Sequence, residues 1–104
     1  MTFDEFQELA ARTDGQTDNR DRLMNCVLGL AGEAGEVVEL LKKKMYHGKA
    51  VTVEQFVDEA SDCLWYLAGL ARSLGVSLDY VARHNVAKLQ ARYPDGFTKG
   101  GGKR

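Results

Sequence analysis

The chain has 104 residues and a formal net charge of −1, with 14 Lys and Arg interspersed among 15 Asp and Glu. That length suits one domain with one modest core, and the charge balance excludes a nucleic-acid binder whose whole surface is basic. The longest apolar run, Cys63 to Ala71, is far too short to span a bilayer, and its two cysteines lack metal-ligand spacing. With no secretory leader, the chain is expected to be cytoplasmic, its thiols reduced, with no membrane or nucleic-acid partner.

The opening Thr2-Phe3-Asp4-Glu5 has the form of a capping box. It predicts a first helix running to about Arg12, and the polar stretch 13–19, with Gly15, predicts a loop. The second helix should run from about Arg20 to Met45. In it Leu23, Val27, Leu30, Ala34, Val37 and Leu41 recur at alternating spacings of four and three, the pattern of a buried helical face. Met24, Leu28, Ala31 and Val38 add a second apolar face. Lys42, Lys43 and Lys44 suit the negative end of the helix dipole, and Gly48 is the stop. Thr52 and Gln55 form a second capping box, opening a third helix that runs to about Leu74 and stops at Gly75.

That third helix is apolar nearly all round, from Phe56 and Ala60 through Leu64, Trp65 and Leu67 to Leu74. Ser77 should cap a fourth helix ending near Tyr93, just before Pro94. The Gly- and Lys-rich tail, Thr98 to Arg104, is expected to be disordered. No strand-like alternation occurs, so the class is all-α, with one domain over residues 1–97. Helices two and three carry more apolar surface than so small a monomer can cover, which predicts a homo-oligomer.

Two acidic pairs flank the central turn: Glu33 and Glu36, then Glu59 and Asp62. Residues three apart on a helix share a face. Counted from Gly48, the first pair lies 15 and 12 residues before and the second 11 and 14 after. An antiparallel hairpin therefore sets the pairs level to within about one residue, or ~1.5 Å of rise. Four converging carboxylates repel strongly unless a cation sits among them, and an all-oxygen site suits Mg²⁺ or Mn²⁺. An isolated E-x-x-E is usually a solvated face. Here Gly29, Gly32 and Gly35 run beside it, each costing about 1 kcal/mol against alanine in a helix. Such a smooth stripe lets another helix or a ligand approach closely.

Asn85, Lys88 and Arg92 share one face of the fourth helix, at the level of Glu59 and Asp62 when counted from the turn near Val76. Cations there would neutralise a polyphosphate, although Arg92 equally suits its helix C-terminus. Trp65 and Tyr66 are candidates for stacking on a base, with core packing expected to claim at least one of them. His47 and Lys49 lie about a dozen residues from the acidic centre, and His84 reads as surface. Neither histidine completes an E-x-x-H, which argues against a di-iron bundle.

The stretches GLAGEAGEVVELLKK, YHGK, DEASDCLWYLAGLA and NVAKLQARYPDGF, spanning about residues 23–97, resemble the MazG-like nucleoside triphosphate pyrophosphohydrolases, the all-α NTP pyrophosphatases. The resemblance implies a four-helix-bundle-like fold, its hairpins assembled in a homodimer or homotetramer. It implies that Glu33, Glu36, Glu59 and Asp62 ligate Mg²⁺, with Mn²⁺ as a substitute. Asn85 and Lys88 match the family's N-x-x-K, which faces the nucleotide. The implied reaction is hydrolysis of an NTP or dNTP to the monophosphate and pyrophosphate, in housecleaning or control of nucleotide pools, with Glu33 or Glu36 handling the water. Gly32 stands where the family pattern E-E-x-x-E has its first Glu. The role of that side chain does not carry over, and metal count and the identity of the base stay open. Phosphoribosyl-ATP fits the motifs less well as a substrate. A non-catalytic helical module with a structural cation site is the competing reading. Base and sugar preference are not set by these residues.

Overall fold

The computed structural model describes residues 1–97 and Lys99; the rest of the tail expected to be disordered lies outside the described residues. The described residues form four helices and no strand: α1 (Phe3–Ala11), α2 (Asn19–Tyr46), α3 (Val53–Ser73) and α4 (Leu78–Arg92). Both predicted capping boxes are present. Glu5 N donates to the Thr2 hydroxyl at 3.1 Å while Thr2 N donates to the Glu5 carboxylate at 3.0 Å. Thr52 and Gln55 make the same reciprocal pair at 2.8 and 3.2 Å. These bonds satisfy amide groups that a helix start leaves without partners. α2 begins at Asn19, a residue before the expected start, because the Asp18 carboxylate accepts the Arg20 amide at 2.8 Å and acts as the cap. Gly48 at φ 62° and Gly75 at φ 74° take the left-handed conformation that ends α2 and α3.

α2 and α3 form a long antiparallel hairpin, and α1 packs on α3. The two long helices approach closely through one glycine on each. A Cβ on Gly29 of α2 would overlap the ring of Tyr66 on α3, and one on Gly69 of α3 would lie 2.5 Å from the Cys26 sulfur on α2. The buried line on α2 is accordingly Arg22, Cys26 and Leu40, with Gly29 between them. This corrects the expected buried face. Val27 and Leu41 remain 49% and 51% exposed, and Leu23, Leu30 and Val37 are half-buried. Apolar periodicity reports which faces avoid water; it does not report that this hairpin closes through small residues. The glycine stripe is corrected likewise. A Cβ on Gly32 or Gly35 would meet nothing within 4 Å, so of the three glycines Gly29 is the one a helix packs against.

Gln7 of α1 joins three elements. Its amide nitrogen donates to the Val76 carbonyl at 3.1 Å and, at 3.4 Å, to that of Ala68, and its carbonyl accepts the Leu78 amide at 3.1 Å. α4 is thus held at its first turn, where Leu78 is its buried residue, and touches α1 and α3 but not α2. The Cα radius of gyration is 16.6 Å, against about 13 Å for a closed domain of this length. The protomer is therefore open.

A buried ion pair ties the α1–α2 loop to the helices. Arg22 pairs with Asp14, reaches Asn19, and donates to the Gln16 carbonyl at 2.8 Å. Arg72 of α3 approaches the same Asp14 carboxylate at 3.3 Å. Burial alone would raise the Asp14 carboxyl, but the Gln16 amide and the charges of Arg22 and Arg72 overcome it and hold the group below the ordinary value of 3.8.

Two outcomes follow from this packing. Gly29→Ala should lose about 1–3 kcal/mol through overpacking against the Tyr66 ring, whereas Gly32→Ala, with open space around it, should gain up to ~1 kcal/mol of helix propensity; chemical denaturation measures both. Asp14→Asn should cost about 3 kcal/mol at pH 7, because it leaves the Arg22 charge buried without its partner. A lowered carboxyl contributes stability that is complete above its unfolded value of 3.8 and is lost as pH falls through the folded value. The gap between wild type and Asp14→Asn should therefore narrow below pH ~4.

Candidate metal and nucleotide site

The site sits on the hairpin one turn beyond the glycine contacts. Cys26 meets Gly69 and Gly29 meets Tyr66, so each step forward along α2 is matched by an equal step back along α3. The same register sets Glu33 opposite Asp62 and Glu36 opposite Glu59. One carboxylate oxygen from each of Glu33, Glu59 and Asp62 lies within 4.8 Å of the others. Glu36 falls outside this tight group but remains close enough for its charge to act on Glu59. Burial first, then a hydrogen bond shared with Glu33 and the charges of Glu33, Glu36 and Asp62, pushes the Glu59 carboxyl above its ordinary value. Like charges held this close favour a proton or a cation between them. Hard carboxylate oxygens on two rigid helices are a donor set that fits Mg²⁺ or Mn²⁺.

Glu33 and Asp62 open into a cleft whose other walls are Trp65 and Tyr66. The two rings meet edge to face, with centroids 5.0 Å apart and planes at 88°. Tyr66 is committed to the helix contact over Gly29. Trp65 is fixed from the other side: its indole N–H donates to the Thr13 hydroxyl at 2.8 Å, and that hydroxyl donates to the Ala10 carbonyl at 2.9 Å. With its N–H committed, Trp65 presents only ring surface to a ligand. Thr13 was not legible as a site-supporting residue, since it lies 52 positions from Trp65 with no motif around it.

Of the remaining candidates, Asn85 and Lys88 are exposed on α4 and Arg92 is half-buried near its end. None of them lines the cleft within one protomer, as α4 does not reach α2. His84 stacks on Tyr80 with centroids 6.2 Å apart. His47 is the C-cap of α2.

Residues 22–97 match a family model described as MazG nucleotide pyrophosphohydrolase domain. α1 lies before the matched span. The Gene 37 protein of Mycobacterium phage L5 is 36% identical over 92 residues, covering 85% of this chain and 81% of that protein. No solved structure matches the chain.

The acidic cluster has a consequence for pH. The folded protein holds the Glu59 proton more tightly than the unfolded chain, so that group favours the metal-free fold below the unfolded value of 4.5 and stops doing so as pH rises through the raised folded value. Glu59→Gln removes the repulsion. In metal-free protein it should raise the melting temperature at pH 7 and give no gain at pH 4. Mg²⁺ should raise the melting temperature of the wild type more than that of the variant. Differential scanning calorimetry with and without chelator checks all three.

Proposed function

The chain belongs to the MazG nucleotide pyrophosphohydrolase domain family, and we propose that it is a Mg²⁺-dependent enzyme hydrolysing a nucleoside triphosphate, NTP or dNTP, to the monophosphate and pyrophosphate. The observation that carries this reading is the convergence of Glu33, Glu59 and Asp62 in a cleft walled by an aromatic side chain. Carboxylates that repel one another, next to a flat apolar surface, suit a ligand with a metal-bound phosphate tail and a planar base.

A divalent cation bound here supplies Lewis-acid polarisation of the phosphate and neutralises its charge. Glu33, Glu59 and Asp62 would be its ligands, while Glu36, expected among them, is assigned to the water instead. Glu36, outside the tight group, has the freer carboxylate, and we assign it to orient the attacking water and accept its proton. In-line attack at the α-phosphorus breaks the bond to the bridging oxygen, and pyrophosphate leaves. Trp65 offers its ring face to the base. Asn85, Lys88 and Arg92 are assigned to the phosphate oxygens, delivered by α4 of a second copy, because α4 does not contact α2 within the protomer. Residues 1–97 form the working unit, in a homodimer or homotetramer, acting on the cytoplasmic nucleotide pool. No helix among the described residues is long and apolar enough to cross a membrane, which fits that placement.

Incubated with Mg²⁺ and a panel of canonical, deoxy and oxidised triphosphates, the purified protein should release monophosphate and pyrophosphate. Glu36→Ala and Asp62→Ala should lower kcat/KM by ~10²-fold or more, about 3 kcal/mol of transition-state stabilisation, with helical circular dichroism intact. Direct release of orthophosphate, or near-wild-type turnover in either variant, would contradict the assignment.

A further inference from the structure

Thr13 lies outside the span matched by the family model, which begins at residue 22, yet it touches the wall of the acidic cleft. The end of α1 puts it there. Its amide donates to the Ala10 carbonyl at 3.1 Å, and its hydroxyl donates to the same oxygen at 2.9 Å. A hydroxyl that donates once can still accept, and this one takes the Trp65 indole N–H at 2.8 Å. One side chain thus links the last turn of α1 to the ring that faces the ligand.

Two further features hold that link in place. Asp14, the next residue, is buried and pairs with Arg72, which lies seven positions after Trp65 and so on the same side of α3. The Arg72 guanidinium also donates to the Ala11 carbonyl at 3.4 Å. The end of α1 therefore grips α3 at two points, two turns apart. The space left between them, bounded by Ala10, Ala11, Trp65 and Ala68, is about 10 Å³, room for one water at most. The ring has no void behind it to fall back into.

The grip decides what Trp65 can recognise. The cleft it walls, with Glu33, Asp62 and Tyr66, has a volume of about 310 Å³, at the low end for small-molecule pockets. A free indole N–H would read acceptors on the edge of a base. Committed to Thr13, it leaves the carbon rings as the contact, and a ring face selects by stacking area, not by hydrogen-bond pattern. A two-ring purine offers more of that area than a one-ring pyrimidine. We propose that Thr13 is the positioning residue for base selection, holding Trp65 so that the cleft favours a purine nucleotide over a pyrimidine one. That role rests on the hydrolase reading for the triphosphate nature of the ligand.

The chain has one tryptophan, so its emission reports on this ring alone. The test follows that emission, and binding by calorimetry, on the full chain with Mg²⁺ and the α,β-methylene analogues of ATP and CTP, which carry carbon in place of the scissile bridging oxygen. Wild type should bind the purine analogue about three- to tenfold more tightly than the pyrimidine one, with a change in emission. Thr13→Val keeps the side-chain shape and removes both hydroxyl bonds; water can serve the exposed indole N–H, so the fold should persist. It should shift the resting emission and weaken the purine analogue about threefold or more, with a smaller loss for the pyrimidine analogue, and Thr13→Ser should restore both. In the Trp65→Phe background, Thr13→Val should change purine binding no further. With ATP as substrate, Thr13→Val should raise KM and leave kcat nearly unchanged. Equal losses for both analogues, absence of rescue by Thr13→Ser, or an undiminished effect of Thr13→Val in the Trp65→Phe background would overturn the assignment and make the bond a staple between helices. Purine-selective binding without pyrophosphate release from ATP would refute the hydrolase reading and leave Thr13 in its role, whereas turnover of ATP and CTP with no purine preference in binding would do the reverse.

Discussion

The close approach of α2 and α3 through Gly29 and Gly69 is the constraint on which the rest of the structure depends. A glycine on each helix receives a side chain from the other, Tyr66 in one case and Cys26 in the other. Two such contacts one helical turn apart lock both the separation and the register of the hairpin. The register then sets Glu33 and Glu36 against Asp62 and Glu59, two turns at most from the contacts. Helices held further apart by ordinary side chains would leave the carboxylates too distant to share a cation. Helices slipped by a residue would rotate one pair out of the cleft. The cost of helical glycine, about 1 kcal/mol each, is thus offset at Gly29 and Gly69 by what they allow to approach.

Around that hairpin, charge and hydrogen bonding do the positioning. The Asp14–Arg22 pair, joined by Arg72, fixes the loop from which Thr13 reaches Trp65. The cleft wall is therefore supported by a segment remote from the carboxylates in sequence. A buried ion pair adds little net stability relative to apolar packing, but it specifies one geometry, and the orientation of Trp65 depends on that geometry. Gln7 does comparable work at the far end, where its two polar atoms bind α1 to the turn between α3 and α4 and to the start of α4. At Gly32 a Cβ would meet nothing within 4 Å, so no packing requirement in the protomer explains that glycine.

Much of the fold was legible in the chain because it is written in local chemistry. Thr2–Glu5 and Thr52–Gln55 announce helix starts through side chains that bond three residues away. Gly48 and Gly75 mark the ends by a backbone conformation other residues avoid. The level placement of the acidic pairs follows from counting residues to the turn. What was not legible is long-range. The buried side of α2 was expected one residue out of phase, because leucine and valine periodicity is visible and a cysteine–glycine contact is not. Arg22, buried and multiply bonded, reads as an ordinary surface arginine in sequence. The expected meeting of Asn85 and Lys88 with the carboxylates assumed that α4 lies along α3 beside α2, whereas α4 contacts α1 and α3 and does not reach α2.

The proposed chemistry requires that the three converging carboxylates hold a divalent ion. Crystals grown with Mn²⁺ and measured at its absorption edge would answer this directly. An anomalous peak is expected between Glu33, Glu59 and Asp62, at about 2.0–2.2 Å from their oxygens as for a hard octahedral ion. A map with no peak between them at saturating Mn²⁺, or with the ion bound at other residues while these three stay apart, would contradict it.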